Sequence, residues 1–220
     1  MRTICKLFDK ILYLCGKSRK MNTFHYKKAV HAITFLAQLE GGLISYMKAI
    51  KLIWLSDRYH LRNHGRTITG DVYFAMKDGP VASCSYDLLK SDSVSQNLSA
   101  EELEYRNIYL VRSKTYSFKV LQIPEISMFS KSEVNTLHLI YKEFGKFDQF
   151  ELSEMSHSFP EWQSHEKVLA VTKKQKSVQI DMMLFFKNVD NKLFSNTPEE
   201  IEEMVDYSTT FFPQMIHCPR

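Results

Sequence analysis

The sequence has 220 residues, 44% hydrophobic and 13% aromatic, with 29 Lys plus Arg against 25 Asp plus Glu and a formal net charge of +4. This apolar content excludes wholesale disorder and collagen-like repeats. No run reaches the roughly 18 apolar residues of a membrane span, because Gln38, Glu40, Lys48 and Lys51 interrupt the best stretch, Ala32 to Leu55.

The positive charge is local. The first twenty residues hold Arg2, Lys6, Lys10, Lys17, Arg19 and Lys20 against Asp9, a net +5, which leaves −1 for the remainder. Ile4, Leu7, Phe8, Ile11 and Leu14 fall on one stripe, predicting a short basic amphipathic helix. Asp9 and Lys10 split the apolar run and no small-x-small site follows Cys15, so it does not read as a signal peptide. Met21 is an alternative start, which would leave residues 1–20 untranslated. The expected organisation is a basic extension over residues 1–20 and a single domain over 21–220. Cys5, Cys15, Cys84 and Cys218 show no paired spacing, as expected of reduced thiols in the cytoplasm.

From Phe24 to Leu39 the spacing of Tyr26, Val30, Ile33 and Ala37 predicts a helix stopped by Gly41-Gly42. Ser45 then reads as the N-cap of a second helix running through Trp54 and His60 to Gly65, so that the two form a helical hairpin. Asp71 to Met76 reads as a strand before the Asp78-Gly79-Pro80 turn, followed by a helix over Ser83–Leu89. Ser91 to Ser99 is a Ser-rich loop, and Ser99 caps one helical turn over Glu101–Tyr105. Asn107–Val111 and Ser117–Ile123 read as a β-hairpin. Ser130 with Glu133, and Asp148 with Glu151, have capping-box spacing, the first opening a helix that ends at Gly145. The tail reads as helical over Val178–Lys187 and again from Thr197, where Thr-Pro-Glu-Glu is an N-terminal signal. The expected class is α+β, mainly α-helical, a compact helical domain with a small antiparallel hairpin or sheet.

No phosphate-cradling glycine motif occurs. His60 and His64 are four apart but make no HExxH, and His157 and His165 lack nearby Cys, so these histidines read as surface or structural groups. Cys84 could lie at a helix start, which would lower its pKa, but packing is the better reading. No catalytic residue, cofactor site or metal ligand is expected. Lys48, Lys51, Arg58 and Arg62 share one face of the second helix, which predicts either a solvated stripe or a surface for an acidic protein or a phosphate backbone. Arg112, Lys114 and Lys119 could extend it. Glu199, Glu200, Glu202, Glu203 and Asp206 make the tail helix acidic.

The run from Lys51 to Val81, KLIWLSDRYHLRNHGRTITGDVYFAMKDGPV, is less generic. Its Asp57, Arg58, Gly65, Arg66, Ile68, Gly70, Tyr73, Ala75, Gly79, Pro80 and Val81 closely resemble the signature of the Panacea domain, the SocA-like antitoxin domain of bacteria and their phages. Downstream, Ser132, Glu133, Leu152, Ser153, His157, Pro160 and Trp162 resemble a second part of that signature, so the likeness covers about Met21 to Ala170. The resemblance implies the antitoxin of a type II toxin–antitoxin system, inhibiting a cognate toxin by direct protein contact, the toxin being encoded next door. One member of the family delivers its toxin to a ClpXP-type protease. Lys48, Lys51, Arg58, Arg62 and Arg66 are the expected partner-binding residues. Asp57, Gly65, Ile68, Gly70, Tyr73, Gly79, Pro80, Val81, His157, Pro160 and Trp162 are expected to be structural. The other reading is a DNA-binding regulator of a mobile element or prophage, which the body charge of −1 and the lack of an identifiable helix-turn-helix disfavour. No membrane partner is expected.

Overall fold

A computed structural model describes residues 24–114, 116–171 and 176–216. The extension expected over residues 1–20, with its alternative start at Met21, lies outside them. Helix α1 (Tyr26–Leu39) buries the run from Ala29 to Ala37, and Gly41 and Gly42, at φ 85° and 89°, turn the chain away from it. A short strand, β1 (Leu43–Ser45), leads into α2 (Tyr46–His64), whose first turn is capped by the Ser45 hydroxyl accepting the Lys48 N–H at 3.2 Å. The helix stops at Gly65, which is left-handed at φ 69° and donates its N–H to Leu61 O at 2.9 Å. A Cβ at Gly65 would run into the ring of Tyr207, so backbone and packing both demand glycine here.

Helix α2 is the axis of the fold. Fourteen of its 19 residues are buried, more than a helix covered on one face could hide, so other elements enclose it nearly all round. Its Leu52, Ile53, Trp54 and Leu55 join Phe144, Phe159, Phe185 and Phe194 in one apolar core that continues to Ile216.

Two three-stranded antiparallel sheets flank α2. The first, in the order β3-β2-β6, pairs β2 (Tyr73–Met76) with β3 (Gly79–Ala82) and with β6 (Ser177–Gln179); Tyr73 faces Ala82 and Ala75 faces Val178. Pro80 lies on the edge strand of this sheet, where its missing N–H breaks no inner ladder. The second, in the order β1-β5-β4, joins β1 to the hairpin of β4 (Leu110–Lys114) and β5 (Ser117–Val120). Ile44 pairs with Phe118 and Leu43 with Lys119, and the pleat turns Ile44, Phe118 and Leu110 inward and Leu43, Lys119 and Val111 outward.

The remaining helices are α3 (Ser83–Lys90), α4 (Ala100–Tyr109), α5 (Lys131–Phe144), α6 (Gln149–Ser156), α7 (Pro160–Gln163), α8 (Glu166–Val171), α9 (Pro198–Phe211) and α10 (Pro213–Ile216). Both expected capping boxes form, Ser130 with Glu133 and Asp148 with Glu151, and Thr197 with Glu200 makes another. The chain is mixed α+β and mainly helical.

Three local expectations are corrected. Asn107 to Tyr109 belongs to α4, because a full capping box at Ser99 and Glu102 launches a ten-residue helix that runs directly into β4. β5 ends at Val120 rather than Ile123. Residues 178–187 are not an α-helix: Ser177–Gln179 occupies the otherwise open side of β2, and Asp181 then caps a short 3-10 turn over Met182–Phe186. Pairing with a buried strand outweighs a helical spacing that local propensity only weakly supports.

Gly65→Ala is expected to cost about 1–3 kcal/mol, since it adds both a left-handed strain and a clash with Tyr207. Gly41→Ala, strained in the same way but facing open space, should cost only about 1 kcal/mol. Equal shifts of the two urea midpoints would show that the Tyr207 contact is not felt.

Candidate functional site

The cations of α2 decide what the molecule offers a partner. Lys48 donates to Glu40 Oε1 at 2.5 Å and to Gly145 O at 2.7 Å. Lys51 spends its ammonium on Asp78 O, Pro80 O and Ser156 Oγ, at 2.5, 3.0 and 3.2 Å. It thereby ties α2 to the β2–β3 turn and to α6. Gly79 is needed beside it, at φ 98°, because a Cβ there would strike Ser156 Oγ and Lys51 Nζ. Burial pushes Lys51 down to about 7, with Asp78 opposing.

Arg58 is fully enclosed. Its Nε donates to Glu161 Oε1 at 2.6 Å and its Nη2 to Lys187 O at 2.6 Å, and the guanidinium lies over the rings of Phe159 and Phe194, 5.0 and 4.7 Å from their centroids. Burial pushes Arg58 down and Glu161 up, and each holds the other charged. One turn on, Arg62 gathers the segment 185–196. It donates to the carbonyls of Phe185, Lys187 and Phe194 at 2.9, 3.0 and 3.2 Å, and to the side-chain oxygens of Asn188 and Asn196 at 2.6 and 2.7 Å.

The solvent-facing basic stripe expected of Lys48, Lys51, Arg58 and Arg62 is therefore corrected: all four are buried. The shared helix face is real, but it turns toward backbone carbonyls and carboxylates instead of solvent. Arg66 alone among the expected partner-binding residues keeps appreciable exposure, and it is paired to Glu133, which also binds Lys28 at 3.1 Å. The hairpin does not extend the α2 set either. Arg112 pairs with Asp92 and reaches Leu89 O at 2.8 Å, whereas Lys114 and Lys119 stand exposed on the second sheet.

Some of the residues expected to be structural gather on the same helix and the others on strand β2 and the core. Asp57, fully buried, accepts the N–H groups of Ile68 and Thr69 at 2.6 and 3.1 Å and the hydroxyls of Thr69 and Tyr73. Burial pushes it up to about 6 against those donors. The Gly-Arg-x-Ile-x-Gly segment is thus a loop wrapped on a carboxylate, with Gly70 at φ 67° completing the turn. Val81 lines the core, Pro160 opens α7, and His157 stacks on Trp162 at 4.0 Å while the indole N–H donates to Met76 O at 2.9 Å.

The groups considered for catalysis have structural surroundings. His60 donates from Nδ1 to Arg66 O at 2.7 Å, because a carbonyl can only accept, and its Nε2 accepts from Ser132 Oγ at 3.1 Å. Burial lowers it to about 4, so it is neutral at pH 7. Cys84 does lie near the start of α3, but burial and the adjacent Asp71 carboxylate push its thiol up, the reverse of activation. Among the described residues no group of three or more His, Cys, Asp or Glu side chains could hold a metal ion. Glu161 was not singled out from the sequence. Its only signal was an acid directly after Pro160 in an aromatic segment, and its partner is 103 positions away.

A protein-family model described as antitoxin SocA-like, Panacea domain, matches residues 50–163. No curated protein and no solved structure gives a match. The matched stretch contains Lys51, Asp57, Arg58 and Glu161, whereas the groups that satisfy Arg62 and the ring against Gly65 come from beyond it.

Glu161→Ala should cost about 3–5 kcal/mol in urea denaturation, because it strands the buried Arg58 charge; a loss below about 1 kcal/mol would refute that role. Two windows of pH dependence are also expected. Between about pH 4 and 6 folded Asp57 keeps a proton that the unfolded chain has released, so its contribution to stability falls as pH rises through that window. Above about pH 7 folded Lys51 has released a proton that the unfolded chain retains up to 10.5, so stability rises there. His60, lowered to about 4 when folded, contributes a rise with pH over the same lower window, so Asp57→Asn should make stability climb more steeply between pH 4 and 6.5 than in the wild type, and Lys51→Met should flatten the rise above pH 7; unchanged slopes in urea midpoints at pH 4, 6.5 and 9 would contradict the assignment.

Proposed function

The chain belongs to the SocA-like antitoxin, Panacea domain, family, and on that premise we propose that it neutralises a cognate toxin by direct protein contact. The family match carries the reading. The disposition of charge supports it, since the signature residues Asp57 and Arg58 and their neighbours Lys51 and Arg62 are consumed in building a scaffold: Asp57 organises the loop after α2, and the three cations lock other segments onto that helix. A protein that acts by binding needs such a scaffold and an exposed surface, and no tuned nucleophile. We accordingly assign it no catalytic activity and place it in the cytoplasm with its toxin. Among the described residues no helix is long and apolar enough to cross a membrane. The alternative of a DNA-binding regulator loses its main support within the body of the chain, because the four α2 cations that would meet phosphates are buried.

The test is co-expression with the adjacent reading frame. Expressed alone, that frame should arrest growth, and this protein should restore it. A harmless neighbour, or arrest that persists beside this protein, refutes the assignment. In a host lacking ClpXP, restored growth marks inhibition by binding, and lost rescue marks delivery to the protease.

A further inference from the structure

The burial of the α2 cations moves the search for a contact surface elsewhere, and the outer face of the β1-β5-β4 sheet stands out. Leu43 and Val111 flank Lys119 directly across the two ladders, forming one row over all three strands. Leu43 and Val111 are 42% and 41% exposed, although their inward neighbours Ile44 and Phe118 are buried. Just past the end of β5, Leu121 donates its N–H to Tyr109 O at 2.8 Å, and alternation carried on from Lys119 puts it on the outer side. It is 53% exposed, and Ile123, two residues on, is 77% exposed. Exposed apolar residues gathered beside one lysine, rather than scattered singly, are what an interaction surface would show.

We infer that this face is the docking surface for the toxin, and that the toxin brings to it an apolar element carrying a carboxylate. The inference rests on the antitoxin reading above. Charge selects the occupant. Strands β1, β4 and β5 carry Arg112, Lys114 and Lys119 and no Asp or Glu. Arg112 is turned to Asp92, while Lys119, at the middle of the row, has no ion pair among the described residues. An acid arriving on Leu43 and Val111 would pair with Lys119 as water is excluded around it, the arrangement of a central contact ringed by apolar groups. A second copy meeting this face about a two-fold axis at Lys119 would oppose lysine to lysine, and the three strands carry no acid to meet it about any other axis. Strand addition at the β4 edge is blunted by the irregularity between Arg112 and Lys114, so the face and not the edge is the contact.

Lys119→Glu, Lys119→Gln and Val111→Asp, with Val111→Ser as the milder second variant, test it against the purified toxin of the adjacent reading frame. Lys119→Glu and Val111→Asp should raise Kd at least about tenfold and abolish growth rescue, and Lys119→Gln should lose less than Lys119→Glu. Thermal midpoints close to wild type show which variants remain folded. If the wild-type protein itself fails to neutralise, the antitoxin reading falls. If it neutralises and the folded variants do so equally well, only the docking surface is wrong. A wild-type dimer dissociated by Val111→Asp would assign the face to a second copy. Sedimentation with phosphatidylglycerol vesicles that is lost in Lys119→Glu would assign it to a membrane surface. Either result overturns the inference.

Discussion

Everything in this fold leans on α2 carrying charge into the interior. An arginine or lysine taken out of water costs several kcal/mol unless its donors are met, and that demand dictates where the other elements sit. Arg58 requires the Glu161 carboxylate and the Lys187 carbonyl. Arg62 requires the carbonyls of Phe185, Lys187 and Phe194, and Lys51 those of Asp78 and Pro80. Most of these acceptors lie in turns and short 3-10 segments, Asp78 in the β2–β3 turn and Phe185, Lys187 and Phe194 along 185–196, so the cations anchor stretches that have few ladder bonds of their own. Breaking one contact leaves either an orphan charge or a loop without its anchor.

Asp57 plays the same part with the opposite sign. The chain after α2 must reverse without a hairpin, and it does so by pointing consecutive N–H groups and two hydroxyls at one carboxylate. Gly65 and Gly70 supply the left-handed residues at either end of that reversal. Tyr73 therefore links the Asp57 oxygen to β2, and β2 in turn holds β3 and β6. The signature segment and strands β2 and β3 are one construction inside residues 50–163, the part that the family model matches, while β6 joins the sheet from beyond it.

This economy has a consequence for binding. A scaffold that turns its arginines inward has little charge left on its longest helix for a partner. What remains outward includes an acidic helix α9 and the apolar, lysine-centred face of the second sheet. The overall charge gives no hint of this division. Its positive excess belongs to the first twenty residues, and the rest of the chain is nearly neutral.

Much of the local structure was legible in the sequence by itself. Caps at Ser45, Ser130, Asp148 and Thr197, the stops at Gly41-Gly42 and Gly65, and the turn at Gly79-Pro80 are properties of a few adjacent residues, and the structure holds them in those roles. The Asp57 to Val81 motif was equally visible, and with it the family. The tertiary structure alone decided which way α2 faces. Periodicity places Lys48, Lys51, Arg58 and Arg62 on one side of a helix, but it cannot say whether water or a carbonyl 129 residues away lies opposite. The same holds for Ser177–Gln179, whose spacing suited a helix until β2 offered it a pairing partner. Short-range geometry is written in neighbouring residues, whereas the sign of a surface depends on partners that only folding brings together.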